Sequence, residues 1–366
     1  MSPRLKRLSV TGFRFFDALS VDTDSDLVCF HGLNATGKTS LLEAIHYLCL
    51  GRGYFSQTDQ QNIRFGGSFF RIEGTLVTGE YEHEVVCVLE EGKRKSLKMD
   101  GATYDRLGDH LGKFPVVVIA PDDIAIVTGG GDRRRAFMDN MFSQVSRDYR
   151  EHLQSYVRAL RQRNAILKQF GETGQRDIAL LKSYDIQLIP SGDALSKLRA
   201  EHMQEFTPVL DAMYRNIADD AETPGCTYRS DLAATSMADI LKHSLEADMA
   251  MQRTTRGIHR DDLLFTLDER AAGRYGSQGQ VKTFLVALKM AMFHFLKVHL
   301  GITPILLLDD LFDKLDNKRA KRLLAMACSG DTSQVFITDT QPSRIGSLMP
   351  HTEKGVAYVA IGKQPA

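Results

Sequence analysis

A glycine-rich segment, CFHGLNATGKTS (Cys29–Ser40), has the residue types and the spacing of a phosphate-binding loop. Four residues lie between Gly32 and Gly37, and Lys38 and Thr39 follow directly, which fits the pattern G-x-x-x-x-G-K-[ST]. Glycines in this pattern let backbone N–H groups face phosphate oxygens, the lysine bridges those oxygens, and the hydroxyl binds Mg²⁺. The segment therefore predicts a site for ATP and Mg²⁺. The candidate cofactor-binding residues in it are Gly32, Asn34, Ala35, Thr36, Gly37, Lys38, Thr39 and Ser40.

The residues on either side of this loop support the interpretation. Upstream, LVCF (residues 27–30) is a short apolar run that is typical of a buried strand, and downstream Leu41, Ile45 and Leu48 recur at the spacing of one helical face. A strand, a glycine loop and a helix are the order that a P-loop requires. The alternative is an ordinary glycine turn that caps a helix.

An apolar run that ends in two acids lies in the last third of the chain. In PILLLDDLFDKLD (residues 304–316), Ile305–Leu308 precede Asp309 and Asp310. This is the form of a Walker B strand, which delivers a carboxylate to the Mg²⁺ of the nucleotide. Paired acids are also common at strand ends, so the doublet alone does not decide between a structural and a functional role.

A second anion-binding helix start is predicted shortly before this strand. In GSQGQVKTFLVALKMAMFHFLK (residues 276–297), Ser277 precedes a helical apolar pattern that includes Phe284 and Leu288. An ordinary N-cap explains Ser277, but not Gly279 in the first turn, where glycine costs about 1 kcal/mol relative to alanine. A serine and a glycine at this place present bare N–H groups to an anion. The chain thus has two predicted anion sites, but one nucleotide per subunit needs only one of them. We therefore expect the second site to serve the nucleotide of a neighbouring subunit.

The composition excludes several other classes of protein. The chain has 366 residues, of which 43% are hydrophobic, and its 46 basic residues balance 46 acidic ones. A polyanion such as nucleic acid would therefore have to bind a local positive patch, because the chain has no net positive charge. The five cysteines form no C-x-x-C pair, which argues against a disulfide framework and a zinc site. The N-terminal residues lack a signal-peptide core, and no apolar run reaches membrane-spanning length, so we expect a cytoplasmic protein without a membrane partner.

The pattern of the whole chain predicts two domains. Strand-like alternation with turns at Gly79 and Gly92 follows the first helix, and helical periodicity occupies residues 132–251. The last third returns to strands and helices. We therefore expect an α/β P-loop NTPase domain of residues 1–131 and 252–366, with a mixed, mostly parallel sheet and flanking helices, and a mainly helical inserted domain of residues 132–251. One predicted helical face in the insert comprises Leu153, Tyr156, Val157, Leu160 and Leu167.

The order of these motifs resembles the head of ATP-binding-cassette (ABC) ATPases. A Walker A loop, an S-x-G-Q helix start, a Walker B strand with a second acid and an L-D pair follow one another. More narrowly, the chain resembles the RecF family, which is related to the heads of SMC and Rad50 proteins. No sustained heptads separate the two halves, so we expect a head without a coiled-coil arm. The segments that carry the resemblance include LSVTGFRFF, NATGKTSLLEAIHYLCLGRGYFS, VVVIAPDDIAIVTGGGDRRRAFMDNMF, RALRQRNAILK, GIHRDDL and SQGQVKTFLVALKMA.

The resemblance implies a mechanism in which two subunits close face to face over two ATP molecules. The P-loop of one subunit would hold the phosphates, and Ser277, Gly279 and Gln280 of the other would seal the γ-phosphate. Asp316, after Leu315, resembles the D-loop aspartate that communicates between the two sites.

The resemblance also assigns catalytic roles. Lys38, Asp309 and Asp310 are the implied catalytic residues, Thr39 and Asp309 the ligands of Mg²⁺, and Asp310 the residue that orients the attacking water. Because aspartate is one methylene shorter than the glutamate that most cassette ATPases carry second, we expect a weak ATPase with slow turnover.

The implied ligand is DNA with a gap or a junction between single and double strands, and the implied partners are RecR, RecO and RecA. The residues that could contact phosphates are Arg133, Arg134, Arg135, Arg158, Arg161, Arg163 and Lys168. A charged helix face is more often solvated surface, and the three consecutive arginines could instead pair with acids such as Asp122 and Asp123. His259 is expected to have a structural role.

Three departures from the family pattern concern the site. Ala35 stands where the family usually has glycine, in a variable part of the loop where we expect it to be harmless. The histidine that cassette ATPases place after the next strand is absent, and Thr338 or Asp339 occupies that neighbourhood. Which of Gln57, Gln60 and Gln61, if any, serves as a Q-loop residue stays open.

Two other functions remain alternatives. The chain could be an ABC-type ATPase subunit of another repair, defence or transport complex, without DNA binding of its own. It could also be a small-molecule P-loop kinase, although that function leaves the S-Q-G-Q helix start unexplained.

Overall fold

The structure is a computed structural model that describes residues 2–218, 222–311, 317–328, 334–348 and 355–362. Within them the strands are β1 (Arg4–Phe13), β2 (Phe16–Asp22), β3 (Leu27–His31), β4 (Phe69–Thr78), β5 (Tyr81–Glu90), β6 (Ser96–Met99), β7 (Ala102–Thr103), β8 (Val116–Ile119), β9 (Pro224–Arg229), β10 (Asp262–Leu267), β11 (Arg270–Ala271), β12 (Ile305–Leu308), β13 (Val335–Asp339) and β14 (Val356–Ala360). The helices are α1 (Lys38–Leu50), α2 (Ile124–Thr128), α3 (Gly131–Val145), α4 (Arg147–Thr173), α5 (Ile178–Ala218), α6 (Met237–Met251), α7 (Ala272–Tyr275), α8 (Gln278–Leu300), α9 (Asn317–Cys328) and α10 (Pro342–Leu348).

The chain divides into two compact units, of which the first combines Met1–Asp123 with Leu285–Ala366. Its centre is a five-stranded parallel sheet with the order β14-β3-β13-β12-β8. The strands β3, β8, β12 and β13 are apolar and almost wholly buried, as expected for a parallel sheet that is covered on both faces. Because the strands are parallel, the residues that follow β3, β12 and β13 meet at one edge of the sheet.

A second sheet of the first unit is antiparallel and has the order β2-β1-β4-β5-β6-β7. The predicted turns lie at Gly79, between β4 and β5, and at Gly92, after β5. Alternate residues of this sheet join one apolar core with helix α1, whose residues Leu41, Ile45 and Leu48 are buried. The core therefore fixes helix α1, and with it the loop at its start.

The second unit, Ile124–Phe284, contains α2 to α7 and a three-stranded antiparallel sheet with the order β11-β10-β9. Tyr156 and Leu167 of the predicted helical face are buried, but Val157 is 43% exposed. Arg163 is buried on the same helix instead, where its guanidinium is paired. The prediction that Val157 lies on the buried face was wrong, because the sequence pattern does not distinguish a buried, ion-paired arginine such as Arg163 from a surface residue.

The limits of the two units differ from the predicted domain limits, 1–131 with 252–366 and 132–251. Strand β10 pairs along its whole length with β9, so residues 252–284 lie with the second unit. Helix α2 packs against α3 and α7, which places residues 124–131 there too. The change from strand to helix along the sequence therefore marks neither limit.

Helix α8 is the one described helix that is long and apolar enough to cross a membrane. Of its most apolar stretch, 72% is buried inside the protein. Lys289, in the middle of the helix, is buried and paired with Asp123. These are the properties of a core helix.

Candidate functional site

The loop between β3 and α1 has a backbone that requires its two outer glycines. Gly32 has φ +156° and Gly37 has φ +98°. A Cβ atom on Gly32 would lie 2.3 Å from the carbonyl oxygen of Ile361, and one on Gly37 would lie 2.7 Å from the ring of Phe16. Neither position has room for a side chain, so the predicted spacing of the glycines reflects this turn.

Lys38 begins helix α1 and folds back over the loop. Its Nζ donates hydrogen bonds to the carbonyl oxygens of Gly32 and Leu33, both at 3.0 Å. An ammonium group has three N–H donors, so these two bonds hold the charge at the loop and leave one donor for a phosphate oxygen. The loop is further closed by the Thr36 hydroxyl, which donates to the oxygen of Leu33 at 2.9 Å.

Thr39 meets the Walker B acid, as the sequence predicts. The Thr39 hydroxyl lies 2.9 Å and 3.2 Å from the two carboxylate oxygens of Asp309, which follows β12. Asp309 is only 6% exposed, and burial raises the pKa of its carboxyl group above the ordinary value, against the hydrogen bonds from Thr338 and Thr39. A hydroxyl and a buried carboxylate are oxygen ligands that suit Mg²⁺, so the donor set fits the predicted metal.

Asp310, the second acid, has an unusual backbone. Its φ is +41°, in the left-handed region that a residue with a side chain seldom adopts. Its backbone N–H donates to the hydroxyl of Thr338 at 2.9 Å. The conformation of this predicted catalytic residue is therefore held by the neighbouring strand β13.

Of the two residues in the place of the cassette histidine, Thr338 contacts both Walker B acids. The Thr338 hydroxyl donates to Asp309 Oδ1 at 2.8 Å. Asp339 instead accepts from the backbone N–H of Gln341 at 2.7 Å, within the turn that follows the strand.

The predicted signature segment begins helix α8 with a capping box. The backbone N–H of Ser277 donates to Gln280 Oε1 at 2.7 Å, and that of Gln280 donates to the Ser277 hydroxyl at 3.2 Å. Gln280 also donates from Nε2 to Glu222 at 2.7 Å. Because the capping box explains Ser277 and Gln280 as structural residues, the contact of Ser277, Gly279 and Gln280 with the nucleotide of a second subunit stays a prediction.

Two other predictions concern the D-loop aspartate and the Q-loop glutamine. Asp316, the D-loop candidate, lies outside the described residues. Gln61 accepts from the backbone N–H groups of Gln57 and Thr58, at 3.1 Å and 3.3 Å, and so stabilises its own turn. Gln57 and Gln60 are exposed.

Glu43 is a residue of this region that the sequence pattern did not reveal. It is fully buried on α1, one turn after Thr39, and its carboxylate accepts from the backbone N–H groups of Tyr54, Phe55 and Ser56 at 2.7 to 3.1 Å. The segment after the P-loop helix is thus fixed to that helix. The only signal in the sequence was an acid on an otherwise apolar helical face.

Part of the basic cluster is engaged inside the second unit. Arg134 forms two hydrogen bonds with the carboxylate of Asp262, at 2.6 Å and 2.9 Å, and Arg135 donates to the backbone oxygen of Asp261 at 2.8 Å. Arg134 and Arg135 therefore have partners within their own unit, and Asp123, one of the alternative partners, binds Lys289 at 3.1 Å.

Arg163 cannot contact DNA, because it is fully buried between Asp185 and Asp248. The exposed members of the predicted cluster are Arg133, Arg158, Arg161 and Lys168.

His259 lies 2.8 Å from the Tyr156 hydroxyl and 3.1 Å from the oxygen of Thr254, and burial lowers its pKa to about 4, in agreement with a structural role.

Ala35 is less harmless than the sequence suggests. Its φ is +61°, a conformation that costs a residue with a Cβ about 1 to 2 kcal/mol and glycine nothing. Replacing Ala35 with glycine would remove this cost. Part of the stability gained would be lost again, about 0.4 to 1 kcal/mol, because glycine has greater conformational freedom in the unfolded chain. We therefore expect Ala35→Gly to raise the free energy of unfolding by about 0.5 to 1 kcal/mol, measured by urea denaturation. A loss of stability would contradict the left-handed conformation.

Comparison with known proteins identifies the family of the chain. A family model described as an AAA domain matches residues 7–197. The DNA replication and repair protein RecF of Flavobacterium johnsoniae is 37% identical over 350 residues, which cover 96% of this chain and 98% of the relative. The corresponding RecF of Phocaeicola vulgatus is 37% identical over 359 residues, with 98% and 96% covered.

Solved structures agree in fold. The recombination mediator protein RecF-ATPrS in the RecFOR pathway has a TM-score of 0.87 and 26% identity, and covers 100% of this chain and 99% of its own. The Smc head domain of Pyrococcus furiosus, at 13% identity and a TM-score of 0.56, shares the fold alone. The predicted fold, a P-loop ATPase head, is thus confirmed, and it is shared with the Smc head. The predicted resemblance is confirmed as well: the chain belongs to the RecF family.

Proposed function

We propose that this RecF-family chain is an ATP-gated DNA-binding mediator of recombinational repair. Two copies of the chain close over two ATP molecules, the closed dimer binds gapped DNA or junctions of single and double strands, and slow hydrolysis opens it again. RecR and RecO are the proposed partners, assistance of RecA loading the proposed outcome, and the cytoplasm the proposed location. The relatives support this proposal, since a solved RecF is described as a recombination mediator with bound nucleotide in the RecFOR pathway.

The observation that carries the proposal is the meeting of Lys38, Thr39 and Asp309 at one edge of the parallel sheet. Lys38 would donate its third N–H to the phosphates, and the N–H groups of the loop would bind the same oxygens. Thr39 and Asp309 would hold Mg²⁺, which neutralises developing charge on the phosphates when it is bound. Asp310 would orient the attacking water, and its short side chain explains the expected slow turnover.

The dimeric site is tested at Ser277. We expect Ser277→Arg to weaken ATP-dependent dimerisation at least tenfold, because a long cation at the start of α8 blocks the close approach of a second P-loop. Sedimentation with ATP and with ADP measures the effect. Ser183→Arg, the same change on the exposed surface of α5, is the control and should dimerise normally.

Dimerisation of Ser277→Arg as strong as that of the wild type would contradict a shared nucleotide site. ATP hydrolysis measured with and without gapped DNA then separates the mediator from an ATPase subunit of another complex. A rate that DNA does not change, together with absent DNA binding, would favour the latter.

A further inference from the structure

The hydroxyl of Thr338 lies at the junction of the two Walker B aspartates. Thr338 is fully buried near the end of β13, next to β12 in the parallel sheet. It donates to Asp309 Oδ1 at 2.8 Å and accepts from the backbone N–H of Asp310 at 2.9 Å. One side chain thus contacts the candidate metal ligand and the backbone of the candidate water-orienting residue.

The geometry limits what this hydroxyl does. A threonine hydroxyl has one O–H donor and two lone pairs. The donor is used by Asp309 and one lone pair by Asp310, so no donor remains for a phosphate oxygen. Thr338 therefore lacks the hydrogen-bonding capacity of a γ-phosphate sensor, although it occupies the neighbourhood of the cassette histidine.

The contact also bears on the strained conformation of Asp310. An aspartate at φ +41° persists only where its surroundings hold it there. Thr338 provides such a contact, because its hydroxyl accepts from the backbone N–H of Asp310. By fixing this backbone, Thr338 also fixes the position from which the side chain of Asp310 extends.

We propose that Thr338 is a positioning residue, which orients the Asp309 carboxylate toward Mg²⁺ and holds Asp310 in its left-handed conformation. The inference rests on the proposed nucleotide site and extends it to a residue outside the Walker motifs. It predicts that loss of the hydroxyl affects Mg²⁺-dependent nucleotide binding and turnover, while nucleotide binding without metal is retained.

The test compares the wild type with Thr338→Val, which keeps the shape and removes the hydroxyl, and Thr338→Ser, which keeps the hydroxyl. The dissociation constant of a fluorescent ATP analogue is measured in EDTA and in Mg²⁺. For Thr338→Val we expect a value within about twofold of the wild type in EDTA and a weakening of about tenfold in Mg²⁺, because loss of a hydrogen-bond partner of a metal ligand costs about 10- to 100-fold in metal affinity. Thr338→Ser should stay within about threefold of the wild type in both conditions.

The matched control is Thr23→Val. Thr23 is equally buried in the first unit, and its hydroxyl donates to the backbone oxygen of Leu5 at 2.7 Å, away from the Walker motifs. Thr23→Val should change the dissociation constant of the ATP analogue neither in EDTA nor in Mg²⁺. Thr338→Ala carries the same test if the valine variant does not fold.

Three results would overturn the inference. They are equal weakening in EDTA and Mg²⁺, unchanged binding in both, and a loss in the serine variant as large as in the valine variant. If the wild type binds no ATP analogue at all, the proposed function fails together with the inference. If the wild type shows the Mg²⁺-dependent gain and Thr338→Val retains it, the inference alone fails.

Discussion

Lys38→Met is expected to weaken ATP binding by about 100-fold or more. The Lys38 ammonium is held against the loop by the carbonyl oxygens of Gly32 and Leu33, with one donor left for phosphate. A hydrogen bond to a charged group contributes about 1.5 to 3 kcal/mol, and methionine removes both the donor and the charge. Because dimer closure and DNA binding are proposed to depend on ATP, both should be lost as well.

Calorimetric titration with ATP and Mg²⁺ measures the loss in Lys38→Met. Lys98→Met is the matched control, since Lys98 is exposed on β6 and should bind ATP normally. Binding by Lys38→Met within threefold of the wild type would show that the loop does not hold the phosphates in the proposed way.

Arg199→Ala is expected to destabilise the second unit by about 3 to 5 kcal/mol, the usual cost of removing one partner of a buried ion pair. Arg199, on α5, is 2% exposed. Its guanidinium binds Asp139 and Asp261, both at 2.8 Å, and the Tyr149 hydroxyl at 2.9 Å. Burial alone would lower the pKa of Arg199, but these neighbours raise it well above the ordinary value. Alanine would leave the buried carboxylate of Asp261 and the partly buried carboxylate of Asp139 without their cation.

Urea denaturation followed by circular dichroism measures the change in Arg199→Ala. The control is Lys197→Ala on the same helix, where the side chain is 78% exposed and lies 3.9 Å from Glu201. Such a surface pair contributes at most about 1 kcal/mol. A loss below 1 kcal/mol in Arg199→Ala would contradict the role of the buried network.

The motifs of the nucleotide site were predictable because each depends on local chain geometry. Gly32 and Gly37 stand where the backbone leaves no room for a Cβ atom, and the acids follow a strand that is recognisable by its apolar run. The meeting of Thr39 with Asp309 then follows from the parallel sheet, although 270 residues separate them.

The residues that the sequence did not reveal depend on contacts between distant segments. Glu43 has a partner only because the chain after α1 turns back over the helix, and the role of Thr338 depends on the neighbouring strand. Arg163 and Arg199 look like surface residues in a helical pattern, yet both are buried and form ion pairs with acids from other elements. Charge alone does not distinguish a solvated arginine from a paired one, so the predicted DNA-binding cluster mixed the two.

The most direct test of the central claim is the binding of gapped DNA by the wild type and by Lys38→Met, each with ATP, with ADP and without nucleotide. The proposed ATP gate predicts tight binding for the wild type with ATP and weak binding in the five other combinations. Equal DNA binding of the wild type with ATP and without nucleotide, or undiminished ATP-dependent binding by Lys38→Met, would contradict it.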